Sequence, residues 1–70
     1  MNRIQKNKLL MSKWSAVEPK NREKHFLVTR VIDDDPTQLL IILEAIHSKN
    51  EYELHWLALK DDTRWRQGWS

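Results

Sequence analysis

The chain has 70 residues, enough for one domain that buries about 60% of its unfolded surface if it folds alone. It contains no cysteine, which excludes a disulfide framework and a cysteine-based zinc site and favours a reducing, cytoplasmic location. The longest uninterrupted apolar run, residues 39–43, is far too short to span a membrane.

The net charge of +2 is unevenly distributed along the chain. Residues 1–30 hold eight Lys and Arg against two acidic residues, whereas residues 31–70 hold four against eight, so the two parts carry +6 and −4. A basic segment attracts polyanions, and a chain with opposite charges in its two parts can also pair with itself or with a protein partner. The simplest alternative is ordinary surface charge balanced within one domain.

The first residues, 1–11, are polar and basic and show little periodicity. This pattern predicts either a mobile basic arm or a short helical lead-in. The single folded domain is therefore expected at residues 12–70.

The first half of this domain predicts two strands. Residues 12–17 form the first, which should end at Glu18 and Pro19 because proline cannot donate a hydrogen bond to the sheet. The polar residues 20–24 predict a loop. Residues 25–32 are rich in β-branched and aromatic side chains and predict the second strand, which the run 33–36 should interrupt.

The next segment, residues 37–47, carries two conflicting signals. Asp35, Pro36 and Gln38 are suited to the N-cap, first and third positions of a helix, which would make the fold α+β. Apolar residues fill every position from 39 to 43, however, as in a strand that is covered on both faces. We predict a strand at 39–47 and keep the helix as the alternative.

The alternating residues 51–56 predict a fourth strand, joined to the third by a two-residue turn at 49–50. This turn would fix the register and place apolar residues opposite each other on one face. The predicted pairs are Leu43 with Trp56, Ala45 with Leu54, His47 with Tyr52, and Glu44 with His55.

The chain ends on the sequence WRQGW, residues 65–69. An Asp61 cap predicts a short helical turn here, on which Trp65 and Trp69 would share a face, and Gly68 would end the turn with a positive φ. We expect both rings to pack on the core, with Trp69 the more exposed. The predicted fold is thus mainly β: an antiparallel meander of about four strands, of which an SH3-like barrel is one form.

The residues that could bind a partner are basic and aromatic. Small β domains commonly bind single-stranded nucleic acid by stacking bases on aromatic side chains in a positive groove. The function predicted from the sequence is a non-enzymatic binding module that engages a macromolecule, with a structural or assembly protein as the alternative. The candidate nucleic-acid-binding residues are Lys13, Lys20, Arg22, Lys24, His25, Arg30 and Trp69.

Other chemistry has little support in the sequence. His47 and His55 fall on opposite faces of the predicted hairpin, whereas a metal site needs three or four convergent ligands. The only glycine is Gly68, so there is no glycine-rich phosphate loop. A domain this small rarely holds a catalytic pocket. We expect no catalytic residue, no metal and no cofactor.

Several short segments resemble a known family when taken together. They are SKWSAV, NREKHFLV, LEAIHSK and the pattern W-x-x-L-K-D-x-x-x-W-x-x-G-W, which runs from Trp56 to Trp69. The chain resembles, over about residues 8–69, a family of small tryptophan-rich proteins of proteobacteria and cyanobacteria whose function is unknown. Ser15 replaces an expected threonine, and Leu57 and Ala58 replace a more polar pair. The resemblance implies a cytoplasmic bacterial protein and supplies no activity or cofactor.

Overall fold

The computed structural model describes residues 1–35 and 37–70. Its five antiparallel strands form one sheet in the order β4-β3-β2-β1-β5. The mainly β meander is confirmed, with a fifth strand added beside the first; the SH3-like barrel stays a prediction. The strands are β1 (Lys13–Lys20), β2 (Glu23–Asp35), β3 (Gln38–Ala45), β4 (Glu51–His55) and β5 (Trp65–Gln67), and 3₁₀ helices lie at Lys6–Lys8 and Trp56–Lys60.

The ambiguous segment is a strand, and the alternative helix at 37–47 is wrong. Along β3 every second residue is buried, and the alternate aliphatic side chains are half-buried. The side chain of Asp35 accepts a hydrogen bond from the Thr37 amide at 2.9 Å, as it would in a helix cap, but this bond stabilises the turn between β2 and β3. β2 therefore continues to Asp35 instead of breaking at residue 33. The predicted role of Pro36 lies outside the described residues.

The predicted register between β3 and β4 is wrong by four residues. Leu43 pairs with Tyr52 instead of Trp56, and Ile41 pairs with Leu54. The connection is a five-residue loop, 46–50, closed by a hydrogen bond of 2.8 Å from the Ala45 amide to the Asn50 carbonyl. The predicted pairs Ala45 with Leu54, His47 with Tyr52 and Glu44 with His55 are wrong for the same reason.

Because the register shift is an even number of residues, the side chains of β3 and β4 stay on the faces of the sheet that were predicted for them. Side chains alternate with a period of two, so a shift of four residues leaves Leu43, Ala45 and Leu54 on the face that was predicted for them. Leu43 and Ala45 are fully buried, and Leu54 packs against the core. Trp56 also packs against the core, but from the start of the second 3₁₀ helix.

The predicted loop at 20–24 is instead a tight hairpin. Asn21 and Arg22 both have positive φ, 55° and 61°, which is the backbone geometry of a type I′ turn, and Lys20 pairs with Glu23. β1 consequently runs through Pro19 to Lys20. The missing N–H of the proline is tolerated because the ladder between β1 and β2 is irregular between Ser15 and Lys20.

The core lies on one face of the sheet and is closed by the helical segments. Trp14 of β1, Phe26 of β2 and Leu43 of β3 are buried, and Leu9 and Leu59 complete the cluster from the two flanking segments. Residues 1–11 thus contain a short helical lead-in followed by a core residue, and the mobility of this arm stays a prediction.

The N-terminal segment is also held by hydrogen bonds. Asn2 donates through its side-chain amide to the carbonyl oxygens of Leu59 at 2.9 Å and of Trp65 at 2.7 Å. Its backbone amide donates to the Lys60 carbonyl at 3.1 Å. One residue therefore connects the start of the chain to both the second 3₁₀ helix and β5.

The predicted Asp61-capped turn forms only as far as Trp65, whose amide donates to the Asp61 carbonyl at 2.9 Å. Its predicted continuation toward Gly68 is wrong, because Trp65–Gln67 form β5. Trp65 pairs with Ala16 of β1, and its ring meets the edge of Phe26 at 5.3 Å between centroids. Trp65 and Trp69 do not share a helical face, because an extended strand separates them. Gly68 has the predicted positive φ, 80°.

Candidate functional site

Trp69 lies on the sheet between two side chains from neighbouring strands. Its indole N–H donates to the Phe26 carbonyl at 2.9 Å, which fixes the ring position. The ammonium nitrogen of Lys13 lies 4.8 Å from the ring centroid, within cation–π range, and the His25 ring lies at 5.9 Å. The indole nevertheless remains 42% exposed. The terminal tryptophan is therefore both anchored and available for contact.

A buried serine holds the segment that carries this ring. The Ser15 hydroxyl donates to the Gly68 carbonyl at 2.7 Å and accepts from the Ser70 amide at 3.2 Å. The Gly68 amide donates to the Lys13 carbonyl at 2.8 Å, so the positive φ of this glycine turns the chain back over β1. Lys24 and Arg66 line a small cavity of about 90 Å³ beside Ser15. We call the set Lys13, Lys24, His25, Arg66 and Trp69 the Trp69 platform.

The structure brings together four of the seven residues predicted to bind nucleic acid: Lys13, Lys24, His25 and Trp69. Lys20 and Arg22 lie at the tip of the β1–β2 hairpin, and exposed Arg30 lies five residues beyond His25 on β2, roughly 16 Å along the strand.

Sequence reasoning missed Arg66. It lies opposite Ser15 because β5 pairs with β1. The three residues Trp65–Gln67 are too few to identify a strand without its partner.

A second candidate site is an open groove of about 510 Å³ on the core side of the sheet. Phe26 contributes a buried ring, and Tyr52 and Trp65 meet that ring edge-on at centroid distances of 6.1 and 5.3 Å. Leu54 and Ala58 add apolar surface. We call this site the aromatic groove; it shares no lining residue with the Trp69 platform.

Glu23 lines the aromatic groove and is only 5% exposed. Its Oε2 accepts hydrogen bonds from the Ser48 hydroxyl and, at 2.9 Å, from the Asn50 side-chain amide; its Oε1 accepts one from the Tyr52 hydroxyl. The bonds from Ser48 and Tyr52 favour the ionised form and hold the pKa of Glu23 below its usual value. The hydrogen bond to Glu23 raises the pKa of Tyr52.

These bonds explain why the β3–β4 connection is longer than predicted. Ser48 and Asn50 belong to the loop 46–50, and Glu23 begins β2, so one carboxylate ties the loop to the β1–β2 hairpin. The sequence placed Glu23 in a polar loop, and no local pattern indicated that it would be buried.

The family model described as tryptophan-rich protein (DUF2389), a family of unknown function, matches residues 12–70. The chain belongs to this family. No curated protein and no solved structure matches the chain.

The four tryptophans of this family member occupy three different environments. Trp14 is 2% exposed in the core, Trp56 and Trp65 are half-buried at its border, and Trp69 lies on the platform. In this member of the tryptophan-rich family the rings therefore lie both in the core and at the surface.

Charged side chains surround the aromatic groove. Glu18 and Asp61 lie at its rim together with Lys20 and Arg64, and all four are exposed. Hydrogen bonds from the side chain and the backbone amide of Thr63 lower the pKa of Asp61, so this carboxylate is ionised at neutral pH.

Residues 1–35 and 37–70 contain no candidate metal cluster and no membrane-spanning helix. In this part of the chain, no group of three or more His, Asp or Glu side chains is placed to hold a metal ion. Neither of its two short 3₁₀ helices has the length and apolar character that a membrane crossing requires.

The Glu23 hydrogen bonds predict an acid-sensitive stability. A carboxyl group whose pKa is lowered by folding stabilises the fold above its unfolded pKa, near 4.5, and this contribution disappears as the pH falls through the lower folded value. We expect the difference in urea midpoint between the wild type and Glu23→Gln to shrink from pH 7 to pH 3. The lowered pKa values of Asp35 and Asp61 act in both proteins and cancel from this difference. A difference that stays constant with pH would contradict the assignment.

Proposed function

We propose that this protein is a small, non-enzymatic binding module that engages single-stranded nucleic acid through the Trp69 platform. The observation that carries the proposal is the half-exposed indole of Trp69, fixed by its hydrogen bond to Phe26 beside the Lys13 ammonium group. A nucleobase can stack on a fixed aromatic ring, while neighbouring cations attract the phosphates. Rigid placement matters because little side-chain entropy is then lost on binding.

The distribution of charge over the sheet supports this proposal. β1, the start of β2 and β5 carry the basic side chains Lys13, Lys20, Lys24 and Arg66, against the acidic Glu18 and Glu23. Arg66 lies outside the chain's basic first half. The acidic residues Glu44, Glu51 and Glu53 lie on β3 and β4, at the other side of the sheet. A polyanion would therefore approach from the β5–β1 side. Lys20, Arg22 and Arg30 would extend the phosphate contacts outward from the platform.

The proposal places the protein in the reducing cytoplasm. The absence of cysteine supports this location, because small domains in oxidising compartments are commonly stabilised by disulfides.

The test is binding of a 12-nucleotide single-stranded RNA and its DNA equivalent to the full chain at 50 and 200 mM salt. We expect weaker binding at the higher salt because each neutralised phosphate releases counterions. Trp69→Ala should weaken binding about tenfold by removing the stacking surface, and Lys13→Ala should lower the salt slope by about one. Lys49→Ala is the matched control, because this exposed lysine lies on the β3–β4 loop near Glu44.

The alternative is an assembly protein, and one feature of the sheet favours it. β4 and β5 form the two edges, and they carry opposite charges through Glu51 and Glu53 on one side and Arg66 on the other. Edges of this kind can pair between copies. Sedimentation velocity from 5 to 500 μM distinguishes the two functions. If the sedimentation coefficient rises with protein concentration and no nucleic acid binds, self-assembly replaces our proposal.

A further inference from the structure

Glu23 is a buried charge without a cationic partner. Within residues 1–35 and 37–70, the ion pairs join the N-terminal amine to Asp62 and Lys49 to Glu44, and neither involves Glu23. Buried carboxylates are usually paired, because hydrogen bonds alone replace only part of the lost hydration. No cationic side chain of the described residues neutralises Glu23. A cationic group that enters the aromatic groove, which Glu23 lines, would therefore meet an unpaired carboxylate.

The carboxylate also has capacity for a further hydrogen bond. An ionised carboxylate accepts about four hydrogen bonds, two at each oxygen. Ser48 and Asn50 occupy Oε2, whereas Oε1 accepts only from Tyr52. One acceptor position thus remains on Oε1, the oxygen nearer to the Tyr52 ring.

The rings of the groove add a second attraction for a cation. Tyr52 and Trp65 both meet the buried Phe26 edge-on, so three aromatic side chains border one space. Aromatic faces attract cations through the ring quadrupole, most strongly where water is excluded. A groove that combines aromatic faces with an unpaired carboxylate is complementary to a cation with an apolar stem.

We propose that the aromatic groove binds the side chain of an arginine in a segment of a protein partner. The guanidinium group is planar, carries five N–H donors and is weakly hydrated, so it can stack on Trp65 or Tyr52 while it donates to Glu23. The rim carboxylates Glu18 and Asp61 supply further acceptors. Lys20 and Arg64 also lie at the rim. All four rim charges are exposed and solvent screens them alike, so the buried Glu23 provides the main attraction for the guanidinium group.

The aromatic groove and the Trp69 platform have no residue in common, although Lys20, one of the outlying basic residues of the proposed nucleic-acid surface, also lies at the groove rim. A protein with both surfaces could connect a basic protein segment to a nucleic acid. Absence of arginine binding would leave the nucleic-acid proposal intact, and absence of nucleic-acid binding would leave the arginine proposal intact.

The test is a titration of the isotope-labelled full chain with acetyl-Gly-Arg-Gly-amide, followed by NMR. We expect chemical-shift changes at the Trp65 indole N–H, at Tyr52 and at the Asn50 side-chain amide. The matched peptide with citrulline has nearly the same shape without the charge, and it should bind at least tenfold more weakly. Equal binding of the two peptides, or shifts confined to other residues, would overturn the proposal.

Two variants locate the interaction. Glu23→Gln removes the charge and should weaken arginine binding at least tenfold, whereas Trp69→Ala, outside the groove, should leave it unchanged. If Glu23→Gln does not fold, Tyr52→Leu is the substitute, because this side chain is 39% exposed and its ring borders the groove. Arginine binding that survives the groove variant, or that Trp69→Ala abolishes, would contradict the site.

Discussion

Deletion of residues 65–70 is expected to leave the chain largely unfolded at ordinary temperature. The deletion removes β5 from the edge of β1 and the Trp65 ring from Phe26. It also removes one of the two carbonyls to which the Asn2 side chain donates, and both partners of the buried Ser15 hydroxyl. The loss of the half-buried Trp65 ring adds to the loss of this strand and these hydrogen bonds, and a domain of this length holds only about 4–10 kcal/mol in total.

Circular dichroism and thermal melting of the truncated chain provide the measurement. Gly68→Val is a milder control, because it retains both tryptophans and forces a β-branched residue to adopt φ 80°, at about 1–2 kcal/mol. The space around Gly68 is open, so the cost comes from the backbone and not from a clash. A truncated chain that keeps its melting temperature and loses only binding would show that Trp65 and Trp69 are contact residues alone.

Trp14→Ala is expected to lower the free energy of unfolding by about 3–5 kcal/mol, more than the same replacement at any other tryptophan. Trp14 is 2% exposed and pairs with Phe26 on β2 and with Gln67 on β5, so its ring lies where three strands meet. Its indole N–H donates to the Ser12 hydroxyl at 2.9 Å, which in turn donates to the Leu9 carbonyl at 2.6 Å. The replacement opens a cavity and removes the indole hydrogen bond to Ser12.

Urea denaturation of a matched series measures this effect. Trp14→Phe retains most of the ring and removes the indole hydrogen bond, so it should cost clearly less than Trp14→Ala. Trp69→Ala should cost the least, because its ring is partly exposed outside the core cluster. A larger loss of unfolding free energy from Trp69→Ala than from Trp14→Ala would contradict the arrangement described for the sheet.

The parts of the fold that could be predicted are those where composition and side-chain alternation agree. The strand at residues 25–32 was found because β-branched and aromatic residues dominate it, and it lies within β2. The strand at 39–47 was favoured by its continuous apolar run, and β3 buries alternate residues there. Each of these inferences depends only on a long segment and its own pattern.

The errors arise where distant residues determine local structure. The register of β3 and β4 depends on the loop 46–50, which the buried Glu23 holds from another strand. The β1–β2 turn depends on Arg22 adopting positive φ, which is uncommon for a residue with a long side chain. The three-residue β5 exists only because β1 offers an unpaired edge.

The candidate sites show the same difference between features set by local sequence and features set by distant residues. Lys13, His25 and Trp69 were identified by residue type, and the sheet brings them together. The aromatic groove was missed because its rings come from β2, β4 and β5 and are far apart in sequence. Predicting it requires the correct register of β3 and β4, which places Tyr52 opposite Leu43 and within reach of Phe26.

The separate environments of the tryptophans make the protein its own optical reporter. Indole emission shifts to longer wavelength in contact with water, so Trp14 should emit at the blue end of the spectrum and Trp69 at the red end. Trp65 borders the aromatic groove and Trp69 belongs to the platform, so each proposed surface contains one tryptophan. Variants that retain only one of these two surface tryptophans beside Trp14 would thus show which surface a ligand occupies, without any added label.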